Sequence, residues 1–236
     1  CGGNESSSPS YLTIYHDKLY FNAGCGSNGT ELWVYDGTNN PSLVYDINNG
    51  GNSSNPSNLT AFNNKLYFQA YVDGSGHELW EYDGENAPIL VFDINTGQNG
   101  QYGSQPNNLK VYNGKLYFSA NNGGGGGGGQ YGHELWVYDG INDPSLVYDI
   151  NSGTSGSSPQ YLMVYDDKLY FSANYGSNGT ELWVYDGETD PSMVYDICGG
   201  NESSSPSYLT IYHDKLYFNA GCGSNGTELW VYDGTN

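Results

Sequence analysis

The sequence predicts an all-β fold built from tandem repeats, and three observations support this prediction. The heptapeptide ELWVYDG, or a close variant of it, occurs five times, around Trp33, Trp80, Trp136, Trp183 and Trp230. The intervals between these tryptophans are 47, 56, 47 and 47 residues, so one unit is about 47 residues long. No segment has helical periodicity, whereas period-2 runs bounded by Gly, Asn, Asp and Pro recur along the chain.

Four short strands are predicted in each unit, and the fourth unit shows them most clearly. They cover residues 161–165, 168–173, 181–186 and 191–197. The first two are joined by the turn Asp166-Asp167, whose residue type tolerates the positive φ of a tight hairpin. In the third strand Leu182 and Val184 alternate with large aromatic residues, so both faces of the sheet are apolar and need to be covered.

A four-stranded antiparallel sheet that is buried on both faces and recurs about every 47 residues is typical of a β-propeller blade. We therefore predict a five-bladed β-propeller in a single repeat domain over residues 1–236, with units at 1–47, 48–94, 95–150, 151–197 and 198–236. The last unit stops before its fourth strand, so its blade is predicted to be incomplete. Residues 1–39 and 198–236 are identical, which favours an excerpt of a longer repeat chain, and such a chain forms either a string of closed rings or, as the alternative fold, an open blade array.

Composition argues against two classes of partner. The chain has 26 acidic and six basic residues, and its formal net charge is −20. Such a chain repels nucleic acid and anionic membranes. No apolar stretch approaches the roughly 20 residues of a membrane helix, so we expect no membrane insertion. Any export signal is expected to have been removed or to lie outside this sequence.

Four cysteines predict two disulfides, each within one repeat. Cys1 and Cys25 lie in the first repeat, and Cys198 and Cys222 repeat their arrangement in the last. In each pair one cysteine lies in the loop that leads into the repeat and the other in the loop between its second and third strands. Disulfides indicate an oxidising compartment, so we expect a secreted or cell-surface protein. Zinc binding is the less favoured interpretation, because neither pair has CxxC spacing.

Comparison of the five copies separates scaffold from site. The tryptophans and the LYF triplets recur in every copy, which indicates inter-blade packing, with ligand stacking by the tryptophans as the minor alternative. Variation is concentrated in the loop that leads into each repeat, the inter-repeat loop, and in the loop between the second and third strands, the mid-repeat loop. Both are predicted to lie on the same rim. Their polar and aromatic side chains suit sugar hydroxyls and sugar faces, and the candidate ligand-binding residues are Tyr71, Asp73, Tyr102, Tyr131 and Tyr175.

The motifs predict no cofactor, and calcium is the metal ion that the carboxylates suggest. Aspartates recur in the DG turns and before the inter-repeat loops, and such oxygens suit calcium, but none has EF-hand spacing. A metal site shared by His77 and His133 is a weaker alternative. Seven sequons are candidates for glycosylation in a secretory eukaryote, or chance products of the composition in a bacterium: Asn4, Asn28, Asn52, Asn58, Asn178, Asn201 and Asn225.

The segment ELWVYDGT at residues 31–38 resembles the ELWxxDGT-type repeat of large secreted bacterial proteins, and the other four copies keep ELWxxDG. The resemblance implies an extracellular, propeller-like repeat and brings no catalytic residues with it. We find no set of nucleophile, base and orienting residue, so an enzyme is not expected. Two hypotheses follow. The first is a non-catalytic module for cell-surface adhesion or assembly, with lectin-like glycan recognition through the rim; the second is a self-assembling structural subunit of an extracellular fibre or matrix.

Overall fold

A computed structural model describes residues 6–96, 103–123, 131–223 and 226–235. Within these ranges the chain forms 19 β-strands and two single-turn 3₁₀ helices, Gly26–Asn28 and Gly176–Asn178, with no longer helix. The short helices lie in mid-repeat loops, where the sequence predicts only loop. The prediction of an all-β fold is confirmed.

The strands follow the repeats. Repeat 1 contains β1 (Ser10–Tyr15), β2 (Lys18–Gly24), β3 (Thr30–Tyr35) and β4 (Ser42–Tyr45). Repeat 2 contains β5 (Ser57–Phe62), β6 (Lys65–Val72), β7 (Gly76–Tyr82) and β8 (Ile89–Phe92). Repeat 3 contains β9 (Asn107–Tyr112), β10 (Lys115–Asn121), β11 (His133–Tyr138) and β12 (Ser145–Tyr148). Repeat 4 contains β13 (Gln160–Tyr165), β14 (Lys168–Asn174), β15 (Thr180–Tyr185) and β16 (Ser192–Tyr195), and repeat 5 contains β17 (Ser207–Tyr212), β18 (Lys215–Gly221) and β19 (Thr227–Tyr232).

Each repeat forms one antiparallel sheet with its strands in chain order. The sheets of repeats 1 to 4 have four strands, and the described part of repeat 5 has three. The tight hairpins form as predicted, because both central residues of the repeat 4 turn have positive φ, 46° at Asp166 and 52° at Asp167. The fourth strand is shorter than predicted and ends at Tyr195. The reason is that the backbone N–H of Ile197 donates to the carboxylate of Glu181.

The sheets pack face to face within two compact units, residues 1–109 and residues 110–236. We call the face that carries the leucine of ELW the leucine face and the opposite one the tryptophan face. In the first unit the leucine face of repeat 1, with Tyr15, Tyr20 and Leu32, packs on the tryptophan face of repeat 2, with Leu66 and Phe68. In the second unit the leucine faces of repeats 3 and 4 pack in the same way on the tryptophan faces of repeats 4 and 5. Strands that are apolar on both sides are thus covered by their neighbours.

Candidate functional site

The inter-repeat loop and the mid-repeat loop of a repeat lie side by side on one rim. The backbone N–H of Tyr71 donates to the carbonyl of Ser54 at 2.7 Å in repeat 2, and repeats 4 and 5 have the equivalent bonds from Asn174 to Ser157 and from Gly221 to Ser204, at 2.8 and 2.9 Å. The rim predicted from the variable loops is therefore present in these repeats.

A buried glutamate of the preceding repeat fixes each inter-repeat loop. Glu181 is wholly buried, and its carboxylate accepts hydrogen bonds from the backbone N–H of Ser204 at 2.8 Å, from the Ser204 hydroxyl at 2.5 Å and from Ile197 N–H at 3.2 Å. Glu134 binds Ser157 and Ile150 in the same way. We call this arrangement the Glu–Ser clasp. The other two members are Glu31 with Ser54 and Glu78 with Ser104.

The inter-repeat loop also approaches the preceding sheet at van der Waals distance. Gly156 has a φ of 69°, and a Cβ added there would lie 2.4 Å from the backbone nitrogen of His133. Two residues later Ser158 N–H donates to the carbonyl of His133 at 2.8 Å. Only glycine fits this combination of positive φ and close approach, so the loop is fixed in place by backbone as well as by the clasp.

These loops surround a polar cavity of about 360 Å³ in repeat 2. It brings together two of the predicted ligand-binding residues, Tyr71 and Asp73. The lining residues are Asn48, Asn52, Ser53, Asn55, Tyr71, Asp73 and His77. The asparagines and Ser53 come from the inter-repeat loop that Glu31 fixes, and Tyr71, Asp73 and His77 belong to the mid-repeat loop and the strands beside it. Sequence comparison singles out Tyr71 and Asp73 but not their asparagine partners.

Hydrogen bonds within the cavity orient its polar groups. The Asn52 side-chain amide donates to Oδ2 of Asp73 at 3.0 Å, and the backbone N–H of Asp73 is 3.4 Å from Oδ1 of Asn48. A hydrogen bond with Asp73 raises the pKa of the Tyr71 phenol, so this group stays protonated and remains a donor.

His77 adds an imidazole to the same cavity. Its ring lies 5.1 Å from that of Tyr71, measured between centroids. Burial lowers the pKa of His77, which keeps the ring neutral at neutral pH. Its buried Nδ1 has no hydrogen-bond partner within the described part of the chain. A neutral imidazole beside amides, a phenol and a carboxylate offers both donors and acceptors to a hydroxylated ligand.

A second cavity, of about 530 Å³, occupies the corresponding rim of repeat 4. Asn151 replaces Asn48, Asn174 replaces Tyr71 and Thr180 replaces His77, and no charged side chain lines the cavity. Its aromatic residue is Tyr161, on the first strand of the repeat. The two repeats thus have a cavity at the same position, and the chemistry of its lining differs between them.

Of the remaining predicted tyrosines, Tyr131 and Tyr175 do not line these two cavities. Tyr175 is 44% exposed, and its ring lies 5.7 Å from that of Trp183. Tyr131 is half-buried, and its backbone N–H donates to the side chain of Asn122 at 3.0 Å. Tyr102 lies outside the described residues. Ligand binding by Tyr102, Tyr131 and Tyr175 stays a prediction.

The predicted disulfide of repeat 5 is present, with Cys198 bonded to Cys222. It joins the inter-repeat loop to the mid-repeat loop. Among the described residues one group, these two cysteines with Glu202, brings three potential metal-ligating atoms together, and the disulfide occupies both sulfurs. Cys25 is also disulfide-bonded, and Cys1 lies outside the described residues.

The sequons differ in exposure. Asn52 and Asn201 are exposed, whereas the half-buried Asn28 and Asn178 donate to Asp46 and Asp196. Asn58 is half-buried, and Asn4 and Asn225 lie outside the described residues. Of the sequon asparagines that the structure describes, Asn201 is the exposed one that does not line the rim cavity of repeat 2.

The recurrent DG aspartates act as turn residues. Oδ1 of Asp83 accepts hydrogen bonds from the backbone N–H groups of Glu85 and Asn86, and the Asn86 side chain donates to Oδ2 at 2.7 Å. These bonds lower the pKa of Asp83 to about 2. Asp139 and Asp186 make equivalent bonds in their own turns. The carboxylate oxygens of these aspartates accept hydrogen bonds within the turn, which supports the interpretation of the DG motif as a hairpin turn.

The buried glutamates predict that stability falls as the pH rises. Burial raises the pKa of Glu78 and of Glu134 from 4.5 to about 7, against the opposing effect of their serine hydrogen bonds. The folded protein holds these protons more tightly than the unfolded chain does. Their contribution is therefore complete below the unfolded pKa of 4.5 and is lost as the pH rises through about 7. We expect a lower melting temperature at about pH 8 than at about pH 5.

Thermal melts of two double variants across this pH range measure how much the buried glutamates contribute to the pH dependence of the melting temperature. Glu78→Gln with Glu134→Gln should flatten the pH dependence, because glutamine does not titrate. Glu85→Gln with Glu188→Gln is the matched control, since it removes two carboxylates at exposed positions. Equal slopes for the two double variants would show that general charge repulsion, and not the clasp, causes the effect.

The comparisons with known proteins define the fold. No protein-family model and no curated protein sequence matches the chain. The β-propeller domain of the Trilobed protease from Pyrococcus furiosus is similar in structure, with a TM-score of 0.54 and 11% identity over 96% of this chain and 65% of that one. The fold class is therefore a β-propeller, formed here from five repeats.

Two whole peptidases contain a similar region. A puromycin-hydrolysing peptidase of Mycobacterium tuberculosis matches with a TM-score of 0.60 and 11% identity over 96% of this chain and 36% of the peptidase. An acylaminoacyl peptidase of Pyrococcus horikoshii matches with a TM-score of 0.52 and 14% identity over 90% and 32%. The chain thus spans about a third of each peptidase, and at these identities the similarity concerns the fold alone.

Proposed function

We propose that this protein is a secreted, non-catalytic recognition module that binds glycans through its rim and serves cell-surface adhesion. The observation that carries the proposal is the cavity of about 360 Å³ in repeat 2, where amide, carboxylate, phenol and imidazole groups converge. Such a set matches the donors and acceptors of sugar hydroxyls, and the half-buried face of Tyr71 offers a surface for a sugar ring.

Repetition of the rim supports multivalent binding. The cavities of repeats 2 and 4 are attached to one chain, so a ligand with several sugar residues that binds one site is presented to the other at high effective concentration. Individually weak sites are then sufficient for adhesion. The different linings of the two cavities favour a heterogeneous glycan over a simple repeating one.

The proposed extracellular location is supported by the Cys198–Cys222 disulfide, because disulfides persist in oxidising compartments. No helix among the described residues has the length and apolar character needed to cross a membrane. The net charge of −20 keeps a tyrosine-rich surface in solution through mutual repulsion.

Binding to an array of polysaccharides and oligosaccharides tests this proposal. For a glycan bound by the wild-type chain, Asp73→Ala is expected to weaken binding at least about tenfold, because it removes a charged acceptor and the partner that orients Asn52. Asp143→Ala is the matched control, since it removes one exposed carboxylate outside both cavities. Absence of any bound glycan, or equal losses in the two variants, would refute the proposal.

A structural subunit of a fibre or matrix is the second candidate. The observation that favours it is that repeats 1 and 2, repeats 3 and 4, and repeats 4 and 5 pack through the same kind of contact between a leucine face and a tryptophan face.

A further inference from the structure

The inter-repeat and mid-repeat loops contain carboxylates but no basic residue. All six basic residues of the chain are lysines: Lys18, Lys65, Lys110, Lys115, Lys168 and Lys215. Five of them begin the second strand of their repeat, directly after the tight hairpin turn, and the sixth lies within β9. Because the second strand runs from the hairpin turn to the mid-repeat loop, these five lysines lie at the end of the sheet that is remote from the loops.

In repeat 2 this separation is nearly the length of a strand. Lys65 begins β6 and Tyr71 lies close to its other end, which corresponds to about 20 Å in an extended strand. The ammonium of Lys65 also forms an ion pair with Oε1 of Glu81 at 2.5 Å. Charges in solution are largely screened beyond about 8 Å at physiological ionic strength, so Lys65 does not neutralise a carboxylate in the loops of its repeat.

The cavity of repeat 2 has a carboxylate in its lining and no cation to balance it. Among the described residues that line the cavity, Asp73 has the carboxylate, and the others besides His77 are asparagines, a serine and a tyrosine. Burial lowers the pKa of His77, so the imidazole adds no positive charge at neutral pH. Asp73 is exposed, and its carboxylate is therefore accessible to a ligand.

A second carboxylate precedes the cavity in the same inter-repeat loop. Asp46 lies two residues before the lining residue Asn48. Its Oδ2 accepts hydrogen bonds from the side chain of Asn28 at 3.2 Å and from the backbone N–H of Gly50 at 3.0 Å. Its Oδ1 is buried and has no hydrogen-bond partner within the described part of the chain. Both carboxylates make the potential at the cavity negative, which favours a cationic ligand over an anionic one.

The uncharged groups beside Asp73 suit a sugar ring that carries a cation. The side-chain amide of Asn52 donates to Oδ2 of Asp73 at 3.0 Å, which orients the carboxylate. An ammonium group has three N–H donors, and carboxylate and amide oxygens accept them. The half-buried ring of Tyr71 offers a face on which a sugar ring stacks or an ammonium group makes a cation–π contact. The cavity thus provides acceptors for the cation and an aromatic surface for the ring.

Three kinds of sugar residue differ in how they interact with this lining. An acidic sugar brings a second carboxylate beside Asp73, and no cation in the described lining offsets the repulsion between them. A neutral sugar forms hydrogen bonds from its hydroxyl groups. A sugar with a free amino group forms a hydrogen bond in which both partners are charged, and such bonds are roughly twice as strong as those between neutral groups.

We propose that the cavity of repeat 2 binds a sugar residue with a free amino group, whose ammonium contacts the carboxylate of Asp73. This inference rests on the glycan binding proposed above and names the class of sugar. N-acetylation removes the positive charge of the amine, so the cavity distinguishes amino sugars from their acetylated forms. The described lining of the repeat 4 cavity has no charged side chain, so that cavity does not share the preference.

Isothermal titration calorimetry with two oligosaccharides of equal length tests the proposal at about pH 7, where a primary amine is largely charged. One is β-1,4-linked glucosamine, and the other is its fully N-acetylated counterpart. The wild-type chain should bind the amine form at least about tenfold more tightly. Asp73→Asn removes the charge and keeps an oxygen for the hydrogen bond of Asn52. This variant should reduce the preference to about twofold or less, with little change in affinity for the acetylated form.

Asp143→Asn is the matched control, because it removes the same charge at an exposed position outside the cavity and should keep the preference. The control is needed since a chain with a net charge of −20 attracts any polycation. Equal loss of preference in both variants, or equal affinity of the wild-type chain for the two oligosaccharides, would overturn the proposal and leave glycan binding intact. Binding of neutral or acidic glycans without binding of the amine form would do the same. If no glycan binds at all, glycan binding and the sugar class are refuted together.

Discussion

Replacing Glu181 with alanine is expected to lower the free energy of unfolding by about 4 kcal/mol, because three buried donors lose one acceptor. The backbone N–H groups of Ser204 and Ile197 and the hydroxyl of Ser204 all point at this carboxylate. The alanine side chain offers none of these donors another acceptor. The inter-repeat loop that leads into repeat 5 should loosen at the same time, which increased amide exchange around Ser204 would reveal.

Glu228 provides the matched control within the same protein. It occupies the same position of the octapeptide TELWVYDG, but it is exposed. Glu228→Ala should change the free energy of unfolding by less than about 0.5 kcal/mol. Chemical denaturation of the two variants and the wild type measures the difference directly. A similar small effect in both would mean that the clasp contributes little to stability.

Leu182→Ala is expected to destabilise the protein by about 2–5 kcal/mol, because truncation leaves a cavity in a packed interface. Leu182 is 2% exposed and lies in the cluster where repeat 4 meets repeat 5. The same denaturation experiment, carried out at low protein concentration to exclude association, measures the loss.

The control for Leu182 is Leu229→Ala, which changes the same residue in the same octapeptide at a position that is 72% exposed. We expect it to cost less than about 0.5 kcal/mol in the monomer. A loss as large as that of Leu182→Ala would show that Leu229 is buried in solution, and would contradict the exposed leucine face.

Much of the fold is predictable from the sequence because five copies are compared within one chain. The recurrent tryptophan fixes the length of the unit, and the two-residue turns fix the first hairpin of each sheet. The end of the fourth strand is not predicted, because Ile197 still continues the apolar pattern of PSMVYDI. The backbone N–H of Ile197 donates to the carboxylate of Glu181 and not to a neighbouring strand. This hydrogen bond depends on a tertiary contact, which the local sequence does not show.

The candidate site is predictable only in part. Variation among copies identifies both loops of the cavity. Within the inter-repeat loop, however, the asparagines that complete the cavity belong to a polar stretch without a distinctive pattern, so the sequence does not single them out as ligand-binding residues. The clasp does have a signal in the sequence. A serine follows the glutamate of ELW at 23 residues in repeats 1, 3 and 4, and such a fixed offset between an invariant acid and a hydroxyl indicates a contact.

The sequence alone does not predict how exposed the leucine face is in repeat 1 and in repeat 5. Leu32 and Leu229 have the same neighbours in sequence over the 39 identical residues, yet one is buried and the other is open to solvent. The difference arises from the presence or absence of an adjoining sheet, which is a property of position in the array.

The Glu–Ser clasp also bears on how a gene of this kind changes. Because each clasp joins a glutamate in one unit to a serine in the next, a crossover between misaligned copies joins a valid glutamate to a valid serine wherever it falls. Insertion or loss of whole units of about 47 residues thus leaves the junctions chemically complete. The number of units can therefore change without creating a new kind of junction.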